Sequence, residues 1–84
     1  MPDQAPAVRE RIRALLVDMH GADSFVSAVP DAVSLREAGV SSTSLVSLLV
    51  AMEDAFGFEW QDDVRPEALR SISSLAQHVV AVRG

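Results

Sequence analysis

Covalent chemistry in this chain is confined to hydroxyls and carboxylates. Its 84 residues include no cysteine, lysine or tyrosine. A thiolate nucleophile, a disulfide, a Schiff base and a zinc–thiolate site are therefore all excluded. His20 and His78 are isolated and lack metal-ligand spacing. Each reads as a solvated histidine near a helix end. Neither lies near a candidate serine in sequence, so a hydrolytic triad has no support. What remains is the hydroxyl cluster Ser41, Ser42, Thr43 and Ser44, which follows Gly39 and opens an apolar periodic run. A serine at a helix start lies beside unpaired amides and the positive end of the helix dipole, a setting that favours a phosphate group. The plainer role for such a serine is an ordinary N-cap. Periodicity leaves both open.

The elements that must position this cluster are helical. Val8, Ile12, Leu15, Leu16 and Met19 fall on one helical face after a tail over residues 1–6, and Gly21 stops that helix. Residues 22–40 show no sustained period, are broken by Pro30 and read as an ordered loop packed by its own side chains. Ser41 or Ser42 then caps a second helix, whose apolar face is Leu45, Leu48, Leu49, Met52 and Phe56 and whose end is Gly57. Leu48, Met52 and Phe56 are expected to point inward against Ile12, Leu15, Leu16 and Val79. Trp60 is expected to pack over the core. Pro66 suits the first position of a short helix through Leu69, and Ser71 can cap a last helix with Ile72, Leu75, Ala76, Val79 and Val80 buried. No alternating strand pattern occurs. The expectation is an all-α, small four-helix bundle of three main helices and one short one, in a single domain.

Charge excludes further classes. Twelve acids against seven arginines give −5 overall, which argues against nucleic-acid binding. Six acids and one arginine between Glu53 and Glu67 make that stretch acidic, as a solvated face or as a docking surface. No apolar run approaches the ~20 residues of a membrane span, so no membrane association and a cytoplasmic location are expected.

The stretch Leu35-Arg36-Glu37-Ala38-Gly39-Val40-Ser41-Ser42-Thr43-Ser44-Leu45-Val46, followed by Ala51-Met52-Glu53-Asp54-Ala55-Phe56-Gly57, resembles acyl and peptidyl carrier proteins. The resemblance covers nearly the whole chain. It implies an acyl-carrier-protein-like four-helix bundle that is not itself an enzyme. A separate phosphopantetheinyl transferase would load its motif serine with 4′-phosphopantetheine from coenzyme A, and the arm's thiol would carry acyl or aminoacyl thioesters. Counting back from Phe56 places the modified serine at Ser42, with Ser41 and Ser44 as register alternatives. The chain departs from the family at Ser41, which stands where the family usually has aspartate, and at Thr43, which stands where it usually has leucine. The missing aspartate bears on which transferase acts.

Residues Ser41 to Met52 carry no charge. The positions expected to meet partners are Thr43, Ser44, Val46, Ser47 and Val50, with Asp54 beyond them. Val46 and Val50 are either an exposed docking patch or peripheral core. A neutral surface around the serine differs from housekeeping fatty-acid carriers. With the arginine-only, alanine- and valine-rich composition, it favours a free-standing, monomeric carrier of a polyketide or non-ribosomal peptide pathway, of the antibiotic-making kind. Its partners would be acyltransferase, adenylating, ketosynthase or condensation enzymes. The alternatives are a fatty-acid-synthesis carrier and a helical interaction module with an unmodified Ser42.

Overall fold

In the computed structural model the described residues are 4–21, 23–60 and 64–83. Helix α1 spans Ala5–His20, α2 Leu35–Ala38, α3 Ser42–Phe56 and α4 Ile72–Arg83, with 3-10 turns at Phe25–Ala28 and Pro66–Leu69. No strand occurs among the described residues. The all-α bundle expected from the sequence is therefore what forms. The short α-helix is α2, whereas Pro66–Leu69, expected to be that helix, is a 3-10 turn. Helix α1 also starts earlier than expected. Ala5 and Pro6, read as tail, form its first turn, where proline's missing N–H is no loss.

The core is one cluster drawn from the three long helices and the segment between α1 and α3. Val8, Ile12 and Leu16 come from α1, Leu48 and Met52 from α3, and Ile72, Leu75, Ala76 and Val79 from α4. Met19 has the right angular position but is 37% exposed. It sits in the last turn of α1, beyond Leu16, the last residue of that helix in the core. Phe56 is likewise only half-buried against the cluster, at the last residue of α3, so the inward-pointing residues of that helix are Leu48 and Met52. Of the two inward contacts expected on α1 beside Ile12, Leu16 is fully buried and Leu15 half-buried.

The segment read as a loop supplies four more core residues: Val26, Val29, Leu35 and Val40. Its two helical turns are single turns, too short to display a period. Backbone and side-chain bonds fix it in place. The Leu35 amide donates to the Arg70 carbonyl at 2.8 Å, and the Ser73 amide donates to the Asp31 carbonyl at 2.8 Å. From α1, Arg9 pairs with the Asp31 carboxylate at 3.2 Å. Arg13 pairs with the same carboxylate and donates to the Val26 carbonyl.

Trp60 packs over the core as expected. Its indole N–H donates to the Leu49 carbonyl at 2.9 Å, and its amide donates to Glu53 Oε2 at 3.0 Å. Its ring stacks on His78 at 4.7 Å and meets Phe58 edge-on at 4.9 Å. The histidines are thus not simply solvated: both are half-buried. His20 lies 6.2 Å from the Phe25 ring, and aromatic packing holds each in place.

The two faces of α3 should respond differently to truncation. Leu48→Ala removes a fully buried side chain and is expected to cost ~2–5 kcal/mol. Val46→Ala lies on the outer face, 59% exposed, and should change stability by less than ~0.5 kcal/mol. Chemical denaturation of both variants checks this. Equal losses would mean that the faces are misassigned.

Candidate functional site

The start of α3 is set by the turn before it. Gly39 ends α2 at φ +118°, a conformation that favours glycine, and its amide donates to the Arg36 carbonyl. The Phe25 ring lies 3.4 Å from where a Cβ at Gly39 would sit, so that position is restricted in space as well. Val40, 1% exposed, then anchors the chain in the core, its amide bound to the Leu35 carbonyl. With Val40 buried, the following residues emerge at the surface.

Of the two possible caps, the structure selects Ser41. Its Oγ accepts the Ser44 amide at 3.1 Å, and its hydroxyl donates to Ser44 Oγ. Its carbonyl accepts the Leu45 amide, the first intrahelical bond. Ser42 is consequently the first residue of α3 rather than its cap. It is exposed, and its hydroxyl has no hydrogen-bond partner among the described residues. The amides of Ser42 and Thr43 belong to the first turn, where the helix offers them no carbonyl. A free hydroxyl beside two uncommitted N–H groups is a setting that accommodates a phosphodiester. The donor set fits that group.

The other singled-out positions divide by helical register. At 100° per residue, Thr43, Val46, Ser47, Val50 and Asp54 fall within one arc of α3, and all five are exposed. Ser44 lies outside that arc and is half-buried, engaged with Ser41. Ser42 sits at the seam between the arc and the core stripe. Val46 and Val50 are each 59% exposed, which settles them as surface rather than peripheral core. Of the acids beyond Met52, Glu53 is occupied in binding the Trp60 amide, so Asp54 is the first solvent-facing carboxylate. Asp62 and Asp63 of the acidic run lie outside the described residues. Among the described residues there is no cluster of groups able to hold a metal ion, and no helix is long and apolar enough to cross a membrane.

Comparison with known proteins supplies the family. The chain is 28% identical over 78 residues to an acyl carrier protein of Akkermansia muciniphila, covering 93% of this chain and 95% of that one. It is 31% identical over 70 residues to an acyl carrier protein of Nitratidesulfovibrio vulgaris, covering 83% and 91% respectively. The chain belongs to the acyl carrier protein family. It is a carrier protein, in a family whose members hold groups for partner enzymes rather than transform them. A stretch of 55 residues is also 36% identical to a non-reducing polyketide synthase of Talaromyces marneffei, covering 66% of this chain and 3% of that one. No family model matches, and no solved structure matches significantly.

Sequence reasoning missed one part of this carrier's surface. Arg36 and Arg70 are 34 positions apart in the sequence, and the fold, through contacts such as the Leu35–Arg70 backbone bond, brings them to one groove. No local signal marks such a pair.

The division between cap and free hydroxyl has a measurable consequence. Ser41→Ala removes the cap and should cost ~1 kcal/mol. Ser42→Ala removes an unbonded exposed hydroxyl and should change stability by less than ~0.5 kcal/mol. Thermal melts of the two variants check the order, and a reversed order would make Ser42 the cap.

Proposed function

We propose that this carrier serves a specialised polyketide or non-ribosomal peptide pathway, with Ser42 as the attachment site of 4′-phosphopantetheine. The single observation that carries the attachment reading is the exposed, unbonded Ser42 hydroxyl at the first position of α3. Ser41 takes the capping role and leaves Ser42 free. When bound, the arm supplies a thiol that holds acyl or aminoacyl groups as thioesters. The chain's own residues orient the attachment point and exclude competing chemistry. Gly39 and Val40 fix the turn, Ser41 closes the helix end, and the cysteine-free chain offers no thiol of its own. Phosphopantetheinyl transferase and the pathway enzymes supply the catalysis, in the cytoplasm.

Two features support a specialised pathway over fatty-acid synthesis. The outer face of α3 is uncharged until Asp54, so a partner meets valines and hydroxyls around the arm. The polyketide synthase similarity points the same way. Docking on such a face gains little from charge attraction and should depend weakly on salt.

Intact mass after incubation with a broad-specificity phosphopantetheinyl transferase and coenzyme A tests the attachment site. The wild type and Ser41→Ala should each gain one phosphopantetheinyl group, and Ser42→Ala should gain none. Modification persisting in Ser42→Ala would overturn the assignment.

The docking face is tested by Val46→Asp and Val50→Asp, with melting temperature measured beside loading by the cognate enzyme. Both valines are exposed, so the melting temperature should hold while loading falls. Loading at the normal rate in both variants would reject the face.

A further inference from the structure

Among the described residues, Phe25 is the one exposed aromatic side chain, at 47%. Phe56, Phe58 and Trp60 are all half-buried. Phe25 opens the 3-10 turn Phe25–Ala28, in the segment between α1 and α2. The far edge of its ring meets the Gly39 turn: Cε2 and Cζ lie 3.4 Å from where a Cβ at Gly39 would sit. The His20 ring, from the last turn of α1, is tilted against it at 6.2 Å. The ring is thus held at its edge over the turn that leads into α3, while much of its apolar area stays in water. No charged group is bonded to it, so the contact it offers is purely apolar.

Two features put this ring within reach of a group on Ser42. Gly39 precedes Ser42 by three residues, a stretch that spans at most ~10 Å even when fully extended. The Cα–Cβ bond of a helical residue also tilts toward the helix N-terminus, and Ser42 is the first residue of α3. A group on its hydroxyl therefore leaves toward the Gly39 turn, rather than along the helix toward Val46. We infer that the exposed Phe25 ring is the resting place of the 4′-phosphopantetheine arm. The geminal dimethyl group, the arm's first apolar part beyond the phosphate, packs on the ring, and the thiol end stays free for partner enzymes. This rests on the reading that Ser42 carries the arm. Tethering gives the dimethyl group an effective concentration on the order of mM at the ring, so a contact too weak to hold free pantetheine is still populated. A docking partner lifts the arm from an apolar contact with no ion pair to break, so the resting state should be insensitive to salt.

The test uses the full-length holo protein, its arm transferred from coenzyme A labelled with carbon-13 at the geminal methyls. Intact mass first verifies loading, which depends on the Ser42 reading alone. The two methyl resonances are then recorded by NMR against free labelled coenzyme A, at low and high salt. They should move upfield, as methyls do over a ring face, show nuclear Overhauser contacts to the Phe25 ring protons, and keep both features at high salt. In holo Phe25→Ala the methyl resonances should return to their free positions. Methyls at their free positions in the wild type, with no contact to Phe25, would overturn the inference. So would contacts to the Val46 methyls in place of Phe25, which would lay the arm along α3. Phe25 signals that move only when the transferase is added would also overturn it, making the ring a partner contact. Failure to load at all would remove the Ser42 reading, and this inference with it. The wild-type contacts decide the question whether or not Phe25→Ala folds.

Discussion

The presentation of Ser42 depends on how the segment between α1 and α3 is tied to the start of α4. Asp31 is the centre of that tie: its carbonyl accepts the Ser73 amide, and its carboxylate meets Arg9 and Arg13 of α1. A few residues on, the Leu35 amide reaches the Arg70 carbonyl. These bonds satisfy amides in the first turns of α2 and α4, which would otherwise lack partners. They also press Val26, Val29, Leu35 and Val40 into the core. A domain of this size buries only ~60% of its unfolded surface, so those four residues are a sizeable part of what it can bury. The same tie that completes the core therefore also fixes the turn from which α3 starts.

Once the turn is fixed, three consecutive residues have separate tasks. Val40 is buried, Ser41 caps and Ser42 faces solvent. Serine is a smaller, uncharged cap than the aspartate common in this family. It does the structural work at that position without placing a carboxylate beside the free Ser42 hydroxyl. The neighbourhood of Ser42 is consequently neutral. The nearest charges along the chain are Arg36 and Glu37 on one side and the acids beyond Met52 on the other.

The long helices were legible because each repeats its apolar residues for several turns, as in Ile12, Leu16 and in Leu48, Met52. The cap at Ser71 was legible for a related reason: a hydroxyl directly before an apolar run has one obvious use, and its Oγ indeed accepts the Ser74 amide. Residues 23–40 were not, because a single helical turn carries no period and its register is set by distant partners such as Arg70 and Ser73. The choice between Ser41 and Ser42 as cap was also beyond the pattern, since adjacent identical residues present the same chemistry and only the backbone decides. Glu53 shows a further limit. It read as the first acid of a charged surface, yet its carboxylate holds the Trp60 amide. The candidate site itself was legible through family resemblance, whereas the groove beside it needed the fold.

The central claim is that this helix start commits one hydroxyl to structure and leaves its neighbour for the arm. Trypsin cannot cut inside residues 37–70 except at Arg65, which Pro66 protects, so one peptide contains Ser41, Ser42, Thr43 and Ser44 together. Fragmentation of that peptide from the holo protein by tandem mass spectrometry reads the modified residue directly. The account expects the phosphopantetheinyl mass on Ser42 alone, and finding it on Ser41, Thr43 or Ser44 would contradict it.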